Sequence, residues 1–251
     1  MKRLNAFQLK LFMALLMVLD HLHHIPGFLP PWWMEIFHVI TRCVAPFFAY
    51  MAVEGFIHTR NRLKYNARLF LWAGIMFAGN FGLNHLLNVD ALTIYNNIFF
   101  TLAMGVLALN VWWYPVKSTK LNPKALLALR ILIGIPITVY ACIAYEGSYA
   151  VVPFMFICYI FRDKTKMRNI AILLLSVLLF IPSFQVYPSM ETTIKALMFN
   201  SDWLLFTTIP FMYLYNGERG PKTTFSKYFF YVFYPAHLWI LALIGYFTTT
   251  V

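Results

Sequence analysis

Residues 35–62 read EIFHVITRCVAPFFAYMAVEGFIHTRNR, and this stretch decides the class of the fold. From Glu35 to His58 the run is apolar over about 24 residues, longer than the ~20 needed to cross the hydrocarbon of a bilayer. It then stops on Arg60, Arg62, Lys64 and Arg68. Lipid offers the backbone no hydrogen bonds, so a single span of this kind has to be a helix. Cations gather at the cytoplasmic ends of spans, so the C-terminal end of this one faces inward.

The rest of the chain repeats the pattern. Apolar segments fall at about 4–24, 35–58, 67–87, 97–115, 125–144, 149–161, 169–183, 201–215 and 228–248, the sixth to eighth being short. They predict one all-α domain over residues 1–251, a polytopic transmembrane helix bundle of nine to ten spans. Composition agrees: 61% of residues are hydrophobic and only 12% charged, more apolar surface than one soluble core of 251 residues can hide. The first segment carries Lys10, Asp20 and His21 and lacks a small-residue cleavage site, so it reads as a retained span and not as a signal peptide.

The formal charge of +11 would suggest nucleic acid in a soluble protein, but in this chain it sorts by side. Lys2, Arg3, the 60–68 cluster, Lys117, Lys120, Lys124, the four cations at 162–168, Arg219, Lys222 and Lys227 are sixteen of the twenty basic residues, and all fall on one side of the predicted topology. Opposite them lie Glu35, Asp90, Glu146, Glu191 and Asp202, with Lys195 the one basic residue there. The N-terminus is therefore predicted inside, in a multi-pass protein of the cell (inner) membrane, and the charge needs no nucleic-acid partner. A basic inner face would also attract an anionic cytoplasmic cosubstrate. Cys43, Cys142 and Cys158 sit in apolar segments without paired spacing and read as small hydrophobes, and no metal site is predicted.

Charged groups inside spans cost at least ~2.5 kcal/mol on insertion scales, so each is a site hypothesis. In LKLFMALLMVLDH (9–21), Lys10 and His21 are eleven residues apart, about 20° past three turns. They share one stripe, with about 16 Å of axial rise between them. Asp20 points about 100° away; it is a candidate to orient His21, and equally a candidate ion-pair partner for Arg42. In the second span Glu54 and His58 share a face, and Pro46 predicts a kink. Asn80 and Asn84 share a face of the third span, where amides commonly join helices. His237 lies near the middle of the last span, one turn beyond Tyr234. His23 and His24 read as interfacial. This polar set runs from the inner to the outer face, as a pathway or a buried reaction chamber requires.

Five stretches, LDH at 19–21, RCVAPFFAYMAVEGFIHTRNRLKYNARL at 42–69, NNIFFTLAMGVLAL at 96–109, NGERG at 216–220 and KYFFYVFYPAHLWIL at 227–241, resemble the TraX family of membrane proteins. That family is associated with N-terminal acetylation of a conjugative pilin and is similar to the broader acyltransferase 3 group. In that group an Arg or Lys followed eleven residues later by His marks the first span, and Lys10 with His21 matches it. The resemblance implies acyl transfer from cytoplasmic acyl-CoA, most simply acetyl-CoA, to an amine or hydroxyl of an envelope peptide or glycan. His21 would be the base and Asp20 its orienting partner; Arg42, Asn80, Asn84 or His237 would supply the oxyanion donor. Lys10, Arg60, Arg62 and Arg219, with Glu54, would hold the CoA. The competing reading is a proton-coupled transporter with an intramembrane relay of Asp20, His21, Glu54, His58 and His237.

Overall fold

A computed structural model describes residues 3–115, 122–145 and 147–249; Lys2, Lys117, Lys120 and Glu146 lie outside the described residues. The helices are α1 (Ala6–His21), α2 (Pro31–Ile40), α3 (Val44–His58), α4 (Arg62–Leu87), α5 (Ile98–Trp113), α6 (Pro123–Ile143), α7 (Ser148–Ile160), α8 (Thr165–Ser183), α9 (Met190–Phe199), α10 (Ile209–Leu214) and α11 (Thr224–Thr249). The all-α bundle read from the sequence is thus what forms. Five segments are long and apolar enough to cross a membrane: 6–24, 31–58, 123–143, 165–183 and 224–248; Ile98–Trp113 and Ser148–Ile160 are shorter apolar helices.

Local chemistry sets the boundaries. Asn5, Asn61, Asn97 and Asn122 cap α1, α4, α5 and α6 with side-chain oxygens on backbone N–H groups three residues on, and Asn5 closes a full capping box with Gln8. The second span breaks into α2 and α3 across a 3-10 turn at Thr41–Cys43, placed so that the missing N–H of Pro46 falls in the first turn of α3, where no helical bond is lost. The eighth apolar segment begins as a 3-10 stretch over Ser201–Thr208, long for that geometry. The Thr208 hydroxyl donates to the Cys43 carbonyl at 3.1 Å, so the two 3-10 segments lie side by side in the bundle. The seventh segment gains a turn at its basic end and runs over Thr165–Ser183. Helix α9, in the connection between α8 and the 3-10 stretch, does not show as a span in the sequence because it is short and polar on one side.

The core is built on α1, α3, α5 and α7, whose Leu9, Met13, Phe47, Phe56, Leu109, Phe154 and Met155 are fully buried. Amides stitch α4 to α5 and to the link before it: Asn66 donates to Ala103 O at 2.8 Å and Asn97 to Ala73 O at 3.0 Å. Helices α6 and α8 turn large apolar side chains outward, Leu132 at 71% and Leu178 at 64% exposure, a surface that only lipid solvates without cost. Cys43, Cys142 and Cys158 are free thiols, the first and last buried.

Helix α11 approaches the turn after α1 so closely that a Cβ on Gly245 would meet the His24 carbonyl oxygen, a backbone atom with no rotamer to move. Gly245→Ala is expected to cost about 1–3 kcal/mol by overpacking, read as a lower midpoint of thermal unfolding in detergent. An unchanged midpoint would mean that this contact is slack.

Candidate functional site

Four cavities lie in series in the bundle, and each shares wall residues with the next. At the basic face, the first turn of α1, the end of α3, the start of α4 and the 215–227 segment enclose a basin of about 460 Å³. Lys10, Arg68, Arg219 and Lys227 line it, and none of the four forms an ion pair among the described residues. The Lys10 ammonium sits 4.5 Å from the Phe230 ring centroid, the Arg68 guanidinium lies between the rings of Tyr65 and Tyr231, and Arg68 Nε is buried without a hydrogen-bond partner. Glu54 stands at the edge of the same basin, with His58 Nδ1 on its carbonyl oxygen.

The loop that brings Arg219 there follows from its sequence. In NGERG both glycines adopt left-handed φ, +88° at Gly217 and +86° at Gly220, which L residues avoid. The loop is also sewn to the start of the chain: Ala6 N–H donates to Glu218 O at 2.8 Å, and Asn216 N–H to Leu4 O at 2.9 Å.

From the basin an apolar neck of about 110 Å³ continues inward; the two share Lys10, Met51, Tyr65, Lys227 and Tyr231. Aromatic side chains of α3, α5 and α11, among them Phe48, Phe99, Phe230 and Phe233, line the neck. Met17, Phe48, Ile98 and Tyr234 then form the boundary with a third cavity of about 160 Å³, which holds Asp20, His21, Thr41 and Arg42. That chamber shares Asp20, His21, Arg42 and Asn96 with a wide outer cavity of about 1230 Å³ between the end of α1, helix α2, helix α9 and the link before α5. Helices α2 and α9 are joined over this mouth by His38, whose Nε2 meets Phe199 O at 3.0 Å.

His21 is 7% exposed at the junction of the chamber and the outer cavity. Its Nδ1 lies 2.8 Å from the Met17 carbonyl oxygen and 3.2 Å from Nε2 of His237. His24 is buried and stacks parallel to it at 6.1 Å, so of the two histidines read as interfacial only His23 is exposed.

Asp20, by contrast, faces away from His21. Its carboxylate accepts from Thr41 Oγ1 at 2.8 Å and from Arg42 at 3.0 and 3.1 Å. Arg42 also reaches Asp202 at 3.2 Å, and Tyr149 donates a short hydrogen bond to Asp202. Two carboxylates from different segments thus share one guanidinium. A side chain 100° around the helix from His21 meets the α2–α3 break first, and the atoms that contact His21 Nδ1 are Met17 O and His237 Nε2.

The amide candidates for an oxyanion donor are likewise placed elsewhere. Asn80 donates to Asn96 O at 3.0 Å and accepts from Trp239 Nε1 at 2.9 Å; Asn84 donates to Ile94 O and accepts from Ile94 N. Asn80 is spent on joining α4 to α11 and to the link before α5, and Asn84 on fixing that same link. Of the residues expected to hold CoA, Lys10, Glu54 and Arg219 meet in the basin. Arg60 is exposed at the turn after α3, and Arg62 donates to Trp113 O at 2.9 Å while covering the Phe56 ring, which pins α4 to the end of α5.

Arg68, Lys227 and Tyr234 do not stand out in the sequence as site residues. A signal is present all the same: Lys227, Tyr231 and Tyr234 fall at i, i+4 and i+7, one face of α11. Counting Lys227 and Arg68 as topology charges hides it.

The structure is thus that of an all-α membrane bundle in which adjoining cavities lie between a basin lined by Lys10, Arg68, Arg219, Lys227 and Glu54 and a buried histidine pair. The family model described as TraX protein matches residues 6–245, and the chain belongs to that family. A probable fimbrial assembly protein, FimC of serogroup H1 from Dichelobacter nodosus, is 26% identical over 243 residues, covering 94% of each chain. No solved structure matches the chain.

Proposed function

We propose that this protein is an acyltransferase of the inner membrane that moves an acyl group, most simply acetyl, from cytoplasmic acyl-CoA to an amine or hydroxyl of an envelope acceptor. The observation that carries the reading is the series of adjoining cavities between the basin of Lys10, Arg68, Arg219 and Lys227 and His21. By the positive-inside rule the basin opens to the cytoplasm. Four cations against the single carboxylate of Glu54 in the basin lining leave an excess of positive charge that suits the phosphates of a CoA headgroup. The neck then has to be bridged by the pantetheine arm over the about 16 Å of helical rise between Lys10 and His21.

At the chamber, His21 takes the proton from the attacking amine or hydroxyl as the new bond to the acyl carbon forms. It returns that proton to the CoA sulfur as the thioester C–S bond breaks. Arg42, the charged oxyanion candidate at the chamber wall, is neutralised by Asp20 and Asp202 and holds that wall together. The outer cavity is wide enough for a polymer end to enter from the opposite face. A relative named for fimbrial assembly makes a pilin-type subunit a reasonable acceptor to test first, with an envelope glycan second.

The test is purified protein in detergent with radiolabelled acetyl-CoA. Lys10→Ala and Arg219→Ala are each expected to raise the KM for acetyl-CoA about tenfold with little change in kcat, since a charge-assisted hydrogen bond is worth about 1.5–3 kcal/mol. A series of cavities between the two faces would also suit a carrier. If acetyl-CoA does not bind and the protein in liposomes carries a proton flux instead, the transferase reading is overturned.

A further inference from the structure

We infer that His237 is the positioning residue of the base: it holds His21 through Nδ1 and fixes which nitrogen of His21 meets the substrate. The inference rests on the transferase reading for its consequence, but its geometry stands apart from it.

The logic is one of donors and acceptors. A carbonyl oxygen only accepts, so the 2.8 Å contact of His21 Nδ1 with Met17 O places a proton on His21 Nδ1. The 3.0 Å contact of His237 Nδ1 with Phe233 O places one on His237 Nδ1. In the neutral ring His237 Nε2 is then a bare lone pair, and it lies 3.2 Å from His21 Nδ1. The His21 Nδ1 proton is thus shared between Met17 O and His237 Nε2. His21 Nε2 is left as the unprotonated nitrogen, and it makes no hydrogen bond among the described residues.

Both rings are 7% exposed and meet edge to face, with centroids 5.1 Å apart. Phe233 stacks on the His237 ring at an interplanar angle of 13°, so His237 is itself held in place. The carboxylate next to His21 in sequence is unavailable for this duty, being engaged by Arg42 and Thr41. When His21 accepts the acceptor's proton at Nε2, the imidazolium keeps two acceptors on Nδ1–H, one of them a ring nitrogen. The charge is thereby stabilised without a carboxylate, until the proton leaves for the CoA sulfur. A buried Asp performs this task in a Ser-His-Asp triad; in this protein an imidazole takes it over.

The experiment pairs kinetics with a readout that does not depend on turnover. His237→Ala is expected to lower kcat about 100-fold, with the KM for acetyl-CoA within about twofold of the parent. His237→Gln, whose amide oxygen offers an acceptor near the place of Nε2, is expected to recover much of that loss. Equal loss in both variants, a loss confined to KM, or no loss at all overturns the proposal. In parallel, nitrogen NMR of 15N-histidine-labelled protein, with His21 identified by its disappearance in His21→Gln, is expected to show Nδ1 protonated and Nε2 bare. The opposite tautomer overturns the proposal even in an active enzyme. The expected tautomer in a protein that transfers no acetyl group supports the pair and overturns the transferase reading instead.

Discussion

Replacing His21 with alanine or glutamine is expected to lower kcat for acetyl transfer by about 10²- to 10⁴-fold, the range that a general base contributes. Binding of acetyl-CoA should survive, because its headgroup basin lies about 16 Å of helical rise away, at Lys10. The two substitutions are paired for a reason. His21 packs with 7% exposure between α1, α11 and the His24 ring; alanine leaves a hole there, whereas glutamine fills much of the volume and lacks the base. Loss in both variants with an unchanged thermal midpoint for glutamine assigns the effect to chemistry. Retention of activity in His21→Gln would remove His21 as the base.

The second large effect is expected on stability. Arg42, whose side chain is 18% exposed, lies against Asp20 and Asp202 at 3.0 and 3.2 Å. Arg42→Met leaves two partly buried carboxylates facing each other with no cation between them. Breaking such a network from one side costs on the order of 3 kcal/mol, or about 6–12 °C in unfolding midpoint for a chain of this size. Neutralising all three in Asp20→Asn, Arg42→Met, Asp202→Asn should restore most of the loss, since the penalty comes from uncompensated charge and not from lost packing. If the triple variant is no more stable than Arg42→Met, the network is held by geometry instead of charge balance. The same comparison reports on function, because Asp20 and Arg42 wall the chamber that His21 opens into.

How much of this is legible in the sequence differs by feature. The run 35–62 tells of a long helix ending on cations, and α2–α3 is that segment. Pro46 tells that the segment bends near this point, but not that the bend is a 3-10 turn at Thr41–Cys43 lying beside the 3-10 stretch Ser201–Thr208 some 160 residues later. The stripe of Lys10 and His21 is readable from 3.6-residue periodicity alone. The orientation of Asp20 is readable as an angle but not as a partner, since which helix lies 100° around from His21 is a property of the bundle. Asn80 and Asn84 illustrate the reverse: a shared face announces that they will bond, and the tertiary structure uses them to hold the link before α5 and, through Asn80, helix α11, and not to line the chamber.

By itself the sequence determined what depends on one helix at a time. That comprises the all-helical class, five of the nine apolar segments as helices of membrane length among the described residues, and the register of Lys10 against His21. These follow from hydrocarbon thickness and helical pitch, which act on consecutive residues. Only the tertiary structure decided what depends on two helices meeting: that Lys227 and Arg68 join Lys10 and Arg219 around one basin, that Arg42 is shared by Asp20 and Asp202, and that His21 bonds to His237 across 216 residues of chain. Hydrogen bonds and ion pairs act over about 3 Å, and no periodicity along the chain encodes a distance between two helices.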